Sequence, residues 1–261
     1  RFIKQAREYH FDWAFDYVYG IEKDYRLVKV GKVGCYLHGD GLANVIHSDG
    51  LARFSHADYK DRLKNQDKDF PKENKQFDII VSNPPYSVSA FRNNASKYYN
   101  NNEFELYDKL TDNSSEIECL FIERTKQLLK DGGVAGIILP SSILSNTGIY
   151  SKSREIILQY FDIVGITELG SNTFMATGTN TVTLFLRRRN NYESANHKLA
   201  VQKFFTNHQD VTINGIEKPV SKYVNHVWGN SFPSNGGVSE GRGGFTFNDY
   251  VSLFKKEPTK A

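Results

Sequence analysis

Phe77-Asp78-Ile79-Ile80-Val81-Ser82-Asn83-Pro84-Pro85-Tyr86 is the stretch from which the fold of this chain is read. Phe77 to Val81 is apolar apart from Asp78 and rich in β-branched residues, and two prolines follow almost at once. Proline cannot donate to a sheet ladder, so this reads as a buried strand stopped abruptly at its carboxyl end. Open α/β sheets bind their ligands at such ends. Asn83 then offers an amide that both donates and accepts, Pro84 a rigid carbonyl, and Tyr86 a flat ring. The set suits a planar heterocycle with an exocyclic amine. Asn-Pro and Pro-Pro also mark ordinary turns, and the tetrapeptide alone does not separate the two readings.

Outward from this stretch the chain alternates. Residues 1 to 15 place Phe2, Ile3, Ala6, Tyr9 and Trp13 at helical spacing. A short strand is expected from Tyr17, ending at Glu22. A helix over 24 to 37 follows, with Leu27, Val30, Val33 and Leu37 as its inward set. His38 to Gly41 breaks it, and Ala43 to His47 is the next strand, leading to Asp49. Residues 53 to 76 are charged and polar, and 92 to 102 read as a loop. Ser114 to Lys130 is the clearest helix: Ser114 or Ser115 as cap, Glu116 and Glu118 early and Lys126 and Lys130 late all suit the helix dipole. Val134 to Leu139 is a strand, 149 to 160 a helix, and 163 to 167 and 181 to 186 two strands with no helix between them. The expected fold is therefore α/β, a mostly parallel sheet with helices on both faces and an antiparallel hairpin at one edge. Beyond residue 190 the pattern loosens. Val201 to Phe205 and Val211 to Ile213 read as short strands, and 229 to 245 receive no assignment.

The bulk composition narrows the function classes. With 261 residues, 39% hydrophobic and 24% charged, the chain can build a packed core. A net charge of +3 neither demands nor excludes a nucleic-acid partner. Cys35 and Cys119 stand alone, which argues against a disulfide framework or a structural zinc and for a reducing, cytoplasmic compartment. No apolar run of membrane-spanning length is present in the sequence.

Three successive strand tips carry polar residues, namely Glu22, Asp49 and Asn83 to Tyr86. In nucleotide-binding α/β folds an acid at the second strand's end accepts from ribose hydroxyls, a role open to Glu22, with Asp49 placed to accept from an adenine amine. Each acid alone also reads as a solvated loop carboxylate. Arg187-Arg188-Arg189 could touch phosphates, although a charge run at a strand end is more often solvated.

With these residues in view, the chain resembles DNA adenine-N6 methyltransferases, and most closely the modification subunit of type I restriction–modification systems and related fused enzymes. The resemblance rests on Val18 to Glu22, Leu37 to Gly41, His47 to Leu51, Phe77 to Tyr86, Ser114 to Glu118, Leu128 to Pro140, and Phe174 with Gly178-Thr179-Asn180. It implies a Rossmann-like fold dependent on S-adenosylmethionine. Glu22, Asp49, Gly50, Leu51 and Asn83 would hold the cofactor, and Asn83, Pro84, Pro85 and Tyr86 would be catalytic. Tyr86 and Phe174 would stack on a flipped-out adenine, Phe174 reading equally as a core residue. DNA would be the partner, together with a specificity subunit and a restriction subunit or fused domains.

The family's glycine-rich cofactor loop and the strand leading to it are expected before residue 1. That strand would lie between the strands ending at Glu22 and Asn83. The expectation is an incomplete catalytic domain over residues 1–190 that binds cofactor poorly alone, and a loosely structured extension over 191–261. Two other readings stand beside this one: a protein-glutamine N5 methyltransferase, which also uses Asn-Pro-Pro-Tyr, and a silent scaffold that docks DNA or a specificity subunit.

Overall fold

The structure, a computed structural model, describes residues 14–38, 44–59, 61–63, 70, 72–89, 91, 103–170, 173, 179–229 and 246–256. The chain packs as two units, Arg1–Arg188 and Arg189–Ala261. The first contains, in order, α1 (Ala14–Tyr17), β1 (Tyr19–Glu22), α2 (Tyr25–Leu37), β2 (Asn44–His47), β3 (Phe77–Ser82), α3 (Ile117–Leu128), β4 (Leu129–Pro140), α4 (Ser142–Ser145), α5 (Ile149–Tyr160), β5 (Phe161–Leu169) and β6 (Thr181–Arg188).

The expected alternation holds, and the sheet comes in two pieces. β1 runs parallel to β2, from Tyr19 opposite Asn44 to Glu22 opposite His47. The second piece has the order β3-β4-β6-β5. β3 is parallel to β4, and β6 is antiparallel to both β4 and β5. The antiparallel pair thus exists, but β6 lies inside it and β5 forms the edge. β6 takes the inner place because Val182, Leu184 and Leu186 are all buried on its core side.

Among the described residues no strand joins β1 to β3. The gap falls between the strand ending at Glu22 and the one running into Asn83, where the missing strand was expected. Side chains bridge it instead. Tyr19 and Phe77, the first residues of β1 and β3, meet edge to face at 5.3 Å. Around them Ile46, Ala52, Phe54, Tyr59, Leu63 and Leu128 form one buried cluster. The starts of the two strands are therefore side by side.

A larger core lies between one face of the four-stranded piece and helices α3 and α5, with Leu120, Ile122, Ile137, Leu139 and Ile143 fully buried. Burying each such side chain stabilises the fold by about 1.5–3 kcal/mol. On the opposite face Ile79, Val81 and Phe185 are exposed, so β3, expected as a buried strand, is covered on one face only.

Local details correct several expectations. In α2 the four residues expected inward, Leu27, Val30, Val33 and Leu37, are all exposed, and Val28 is the buried one. Val28, Gly31 and Cys35 form the covered side. Periodicity detects both stripes but cannot say which one meets the sheet. Asp24 caps this helix, accepting from the Arg26 and Leu27 amides at 2.7 and 3.3 Å. The helix expected from Ser114 begins instead at Ile117, and its cap residue Glu116 makes no side-chain cap bond. Ser114 Oγ is used one turn earlier, accepting from the Thr111 amide at 3.0 Å. β4 starts at Leu129 rather than Val134. Gly132, at φ +80°, lets it carry an irregularity opposite Phe77–Ile79 that a side chain would strain.

Arg188 is the sharpest departure. Inward alternation along β6 buries it completely, and its Nη2 donates to both oxygens of Glu73 at 3.3 Å. Lys126 and Lys75 complete the pairing of Glu73, and the Tyr160 ring lies under Lys126 and Arg188. Arg187 pairs with Asp162 at 2.9 Å. Arg188 thus serves the fold, while Arg187 stands in an exposed ion pair.

Glu123 on α3 is buried and accepts from the Glu105 and Leu106 amides at 2.6 and 3.2 Å. Burial pushes its pKa up to about 7, against those two bonds. A carboxyl whose folded pKa lies above its unfolded value stabilises the fold fully at low pH, and that stability is lost as pH rises through the folded pKa. Wild type should therefore lose roughly 3 kcal/mol relative to Glu123→Gln between about pH 4.5 and 8. Urea unfolding of both proteins across that range measures it; a pH-independent difference would refute it.

In the second unit the run expected as a strand at Val201 to Phe205 is helical, part of α6 (Asn191–Asn207). Asn190 accepts from the Glu193 amide at 2.8 Å, and the Glu193 carboxylate accepts from the Asn190 amide at 3.2 Å. This capping box outweighs the strand preference of one short aromatic run. A two-residue hairpin pairs β7 (Thr212–Ile213) with β8 (Ile216–Glu217), and α7 (Pro219–Val224) and α8 (Phe247–Lys256) follow. Among the described residues no helix is long and apolar enough to cross a membrane.

Candidate functional site

β3 ends as its prolines dictate. Pro84 is buried and anchors the turn, Asn83 is exposed at the strand tip, and Tyr86 is half-buried. The Tyr86 hydroxyl donates to Asn83 Oδ1 at 2.5 Å and lies 3.4 Å from the Ile138 carbonyl on β4. Burial raises the Tyr86 pKa, with the nearby Glu118 charge adding to it. Ser87 takes a left-handed conformation, φ +49°, and its amide donates to Glu118 Oε2 at 3.3 Å. The Tyr150 hydroxyl donates to Glu118 Oε1 at 2.8 Å.

The acidic tips of β1 and β2 also come together. The Glu22 carbonyl accepts from the Ser48 amide at 3.1 Å, and Glu22 Oε1 accepts from the Asp24 amide at 2.7 Å. Asp49 Oδ1 accepts from the Leu51 amide at 3.0 Å, and its Oδ2 pairs with Lys23 Nζ at 2.8 Å. The Tyr59 hydroxyl donates to the Asp49 carbonyl, and burial pushes the Tyr59 pKa up to about 12, so it remains a donor. A Cβ on Gly50 would stand 3.2 Å from the Phe121 ring, so glycine lets the turn approach α3 closely. Leu51 is fully buried, so its side chain belongs to the core. Phe174 lies outside the described residues.

α3 ties the two halves together. Arg124 donates from Nη2 to the Leu51 and Ala52 carbonyls at 2.8 and 2.9 Å, between the Phe54 and Phe104 rings. Burial lowers its pKa to about 10, still charged at neutral pH. Glu118, Phe121 and Arg124 are successive members of an i, i+3 row on one helix face. The first meets the Asn83–Tyr86 loop, and the other two meet the turn after Asp49. In the sequence Glu118 stands out as a dipole match and as the end of the resembling stretch Ser114 to Glu118, while Phe121, Arg124, Tyr59 and Tyr150 carry no motif. The i, i+3 row was the available signal.

A family model described as N-6 DNA Methylase matches residues 3–228 and so spans both halves of this site. The chain belongs to the N-6 DNA methylase family. Among curated relatives, the type II restriction enzyme and methyltransferase RM.Eco57I of Escherichia coli is 32% identical over 125 residues, covering 46% of this chain and 12% of that protein. The type I restriction enzyme MpnII methylase subunit of Mycoplasma pneumoniae is 28% identical over 112 residues, 43% of this chain and 20% of its own. The matches thus span a small part of those relatives' length. Among solved structures, the type I restriction enzyme EcoKI M protein aligns with TM-score 0.51 at 16% identity, over 72% of this chain and 36% of that one. The type I methyltransferase subunit from Streptococcus thermophilus gives 0.50 at 21% identity, over 67% and 34%. These likenesses support the Rossmann-like methyltransferase fold for this member of the N-6 DNA methylase family.

Proposed function

We propose that this chain is the catalytic region of an S-adenosylmethionine-dependent DNA adenine-N6 methyltransferase belonging to a restriction–modification system. The observation that carries the reading is Asn83, exposed at the tip of β3 with its side-chain oxygen presented beside the Tyr86 ring. The adenine amine is a weak nucleophile because its lone pair is delocalised into the ring. Asn83 Oδ1 and the Pro84 carbonyl accept its two hydrogens and favour a tetrahedral nitrogen, so the work is positioning and preorganised hydrogen bonding. The Tyr86 hydroxyl now holds Asn83 Oδ1, and an arriving amine takes its place. A base must leave the duplex to reach this tip, and the Tyr86 ring, with Phe174 as a proposed second wall, stacks on it.

The carboxylates at the tips of β1 and β2 fit the cofactor. Glu22 keeps one oxygen on the Asp24 amide and offers the other to ribose hydroxyls. Asp49, held by Leu51, Lys23 and Tyr59, faces the adenine amine once Lys23 is exchanged, with Gly50 and Leu51 lining the turn through their backbone. When bound, S-adenosylmethionine supplies an electrophilic methyl group. Glu22→Ala should weaken cofactor binding roughly 10- to 100-fold, the range for a lost charged hydrogen-bond acceptor. Isothermal titration calorimetry of the two proteins tests this; equal affinities would remove Glu22 from the site.

The catalytic region is taken as residues 1–190, with 191–261 as an extension. DNA, a specificity subunit and a restriction subunit or fused nuclease are the proposed partners, in the cytoplasm. The relatives' designations as restriction enzymes and methylase subunits support these partners. The deciding experiment supplies labelled S-adenosylmethionine and duplex DNA to the natural protein with the subunits it requires. N6-methyldeoxyadenosine in the digested DNA is expected. Label on protein glutamine, or no transfer at all, would overturn the reading in favour of the glutamine enzyme or the silent scaffold.

A further inference from the structure

Glu118 brings a carboxylate into the interior beside the Asn83–Tyr86 loop, and no step of the proposed transfer uses it. It is fully buried in the first turn of α3. Burying a carboxylate is unfavourable unless its oxygens are satisfied, and here each has a designated donor. Oε2 takes the Ser87 amide and Oε1 the Tyr150 hydroxyl. Ser87 is the residue directly after the tetrapeptide. Its left-handed φ of +49° is a conformation that non-glycine residues hold when their surroundings impose it. That turn fixes how the chain leaves Tyr86, and so where the ring and hydroxyl stand relative to Asn83.

We propose that Glu118 is a positioning residue for methyl transfer: by holding the Ser87 amide, it keeps the Asn83–Tyr86 loop in the geometry that receives the target amine. The inference rests on the reading of Asn83 as the acceptor of that amine. Burial pushes the Glu118 carboxyl upward, and its bonds with Tyr150 and Ser87 oppose the shift. Glutamine can reproduce the brace, its oxygen accepting from Ser87 and its amide donating to the Tyr150 oxygen. Alanine can do neither.

The test is steady-state kinetics on duplex DNA with the natural protein and the subunits it requires. Wild type is compared with Glu118→Ala, Glu118→Gln, Tyr150→Phe and Asn83→Ala. Misplacing a reacting group through a distant change can cost on the order of 100-fold. Glu118→Ala should therefore lower kcat roughly 30- to 100-fold, with KM for S-adenosylmethionine within about twofold. Glu118→Gln should stay within about fivefold of wild type, and Tyr150→Phe should fall between the two. A purely structural role would move thermal stability without this split between kcat and KM. Wild-type kcat in Glu118→Ala, or Glu118→Gln as impaired as Glu118→Ala, overturns the proposal. If the alanine variant does not fold, an unchanged kcat in Tyr150→Phe overturns it. Asn83→Ala separates the two levels: if it stays active, the reading of Asn83 fails. If it is inactive while Glu118→Ala is fully active, only the role of Glu118 fails.

Discussion

Asn83→Ala is expected to lower methyl transfer about 10²- to 10³-fold while leaving the fold in place. The size is that of removing one preorganised hydrogen-bond partner from a reacting group. Here the lost partner is the oxygen that receives an amine hydrogen in the transition state. The fold should be indifferent, because the Asn83 side chain is exposed and its hydrogen-bond partner among the described residues is the Tyr86 hydroxyl. That hydroxyl keeps the Ile138 carbonyl within 3.4 Å. Single-turnover incorporation of labelled methyl, beside a calorimetric titration of cofactor, separates chemistry from binding. A variant within a few-fold of wild type in both would remove Asn83 from the mechanism.

Arg188→Ala is expected to cost about 3–5 kcal/mol of folding stability, the range for breaking a buried ion pair from one side. The reason lies in what remains. Glu73 is buried with side-chain exposure of 4%, and Arg188, at 0%, is its most deeply buried partner. Lys126 and Lys75 stay near at 3.3 and 3.5 Å, which places the loss toward the lower end of the range. The alanine also leaves a void against the Tyr160 ring, 4.9 Å from the guanidinium. Arg188→Met fills most of that volume without restoring the charge, so the difference between the two variants isolates the packing part. Urea midpoints at constant m-value give both numbers. A loss below about 1 kcal/mol would class the pair with surface salt bridges.

These expectations divide by how far apart the interacting residues lie. The strand through Val81, its arrest at Pro84 and Pro85, and the acids at the tips of β1 and β2 depend on alternation, branching and missing donors within a few residues. All of that was legible. The capping box at Asn190 and Glu193 was equally local, and was overlooked in favour of a strand-like run farther along the helix. The inward face of α2 was a different case. Two apolar stripes run along that helix, and only the sheet beneath it selects Val28 over Leu27 and Val30.

By itself, then, the sequence determined where strands stop and which chemical groups stand at their tips, because backbone propensity and proline chemistry act locally. It determined the α/β class in the same way. Tertiary structure alone decided that Arg188 turns inward to Glu73 and that Glu118 meets Ser87 and Tyr150. Those partners lie 31 and 32 residues from Glu118, and Glu73 lies 115 from Arg188. Contacts at such separations follow from which helix packs on which sheet face, a choice made by the burial of the whole core. The strand and the Asn83–Tyr86 loop are written in ten consecutive residues, Phe77 to Tyr86. The buried carboxylate behind it is supplied by a helix that comes later in the chain.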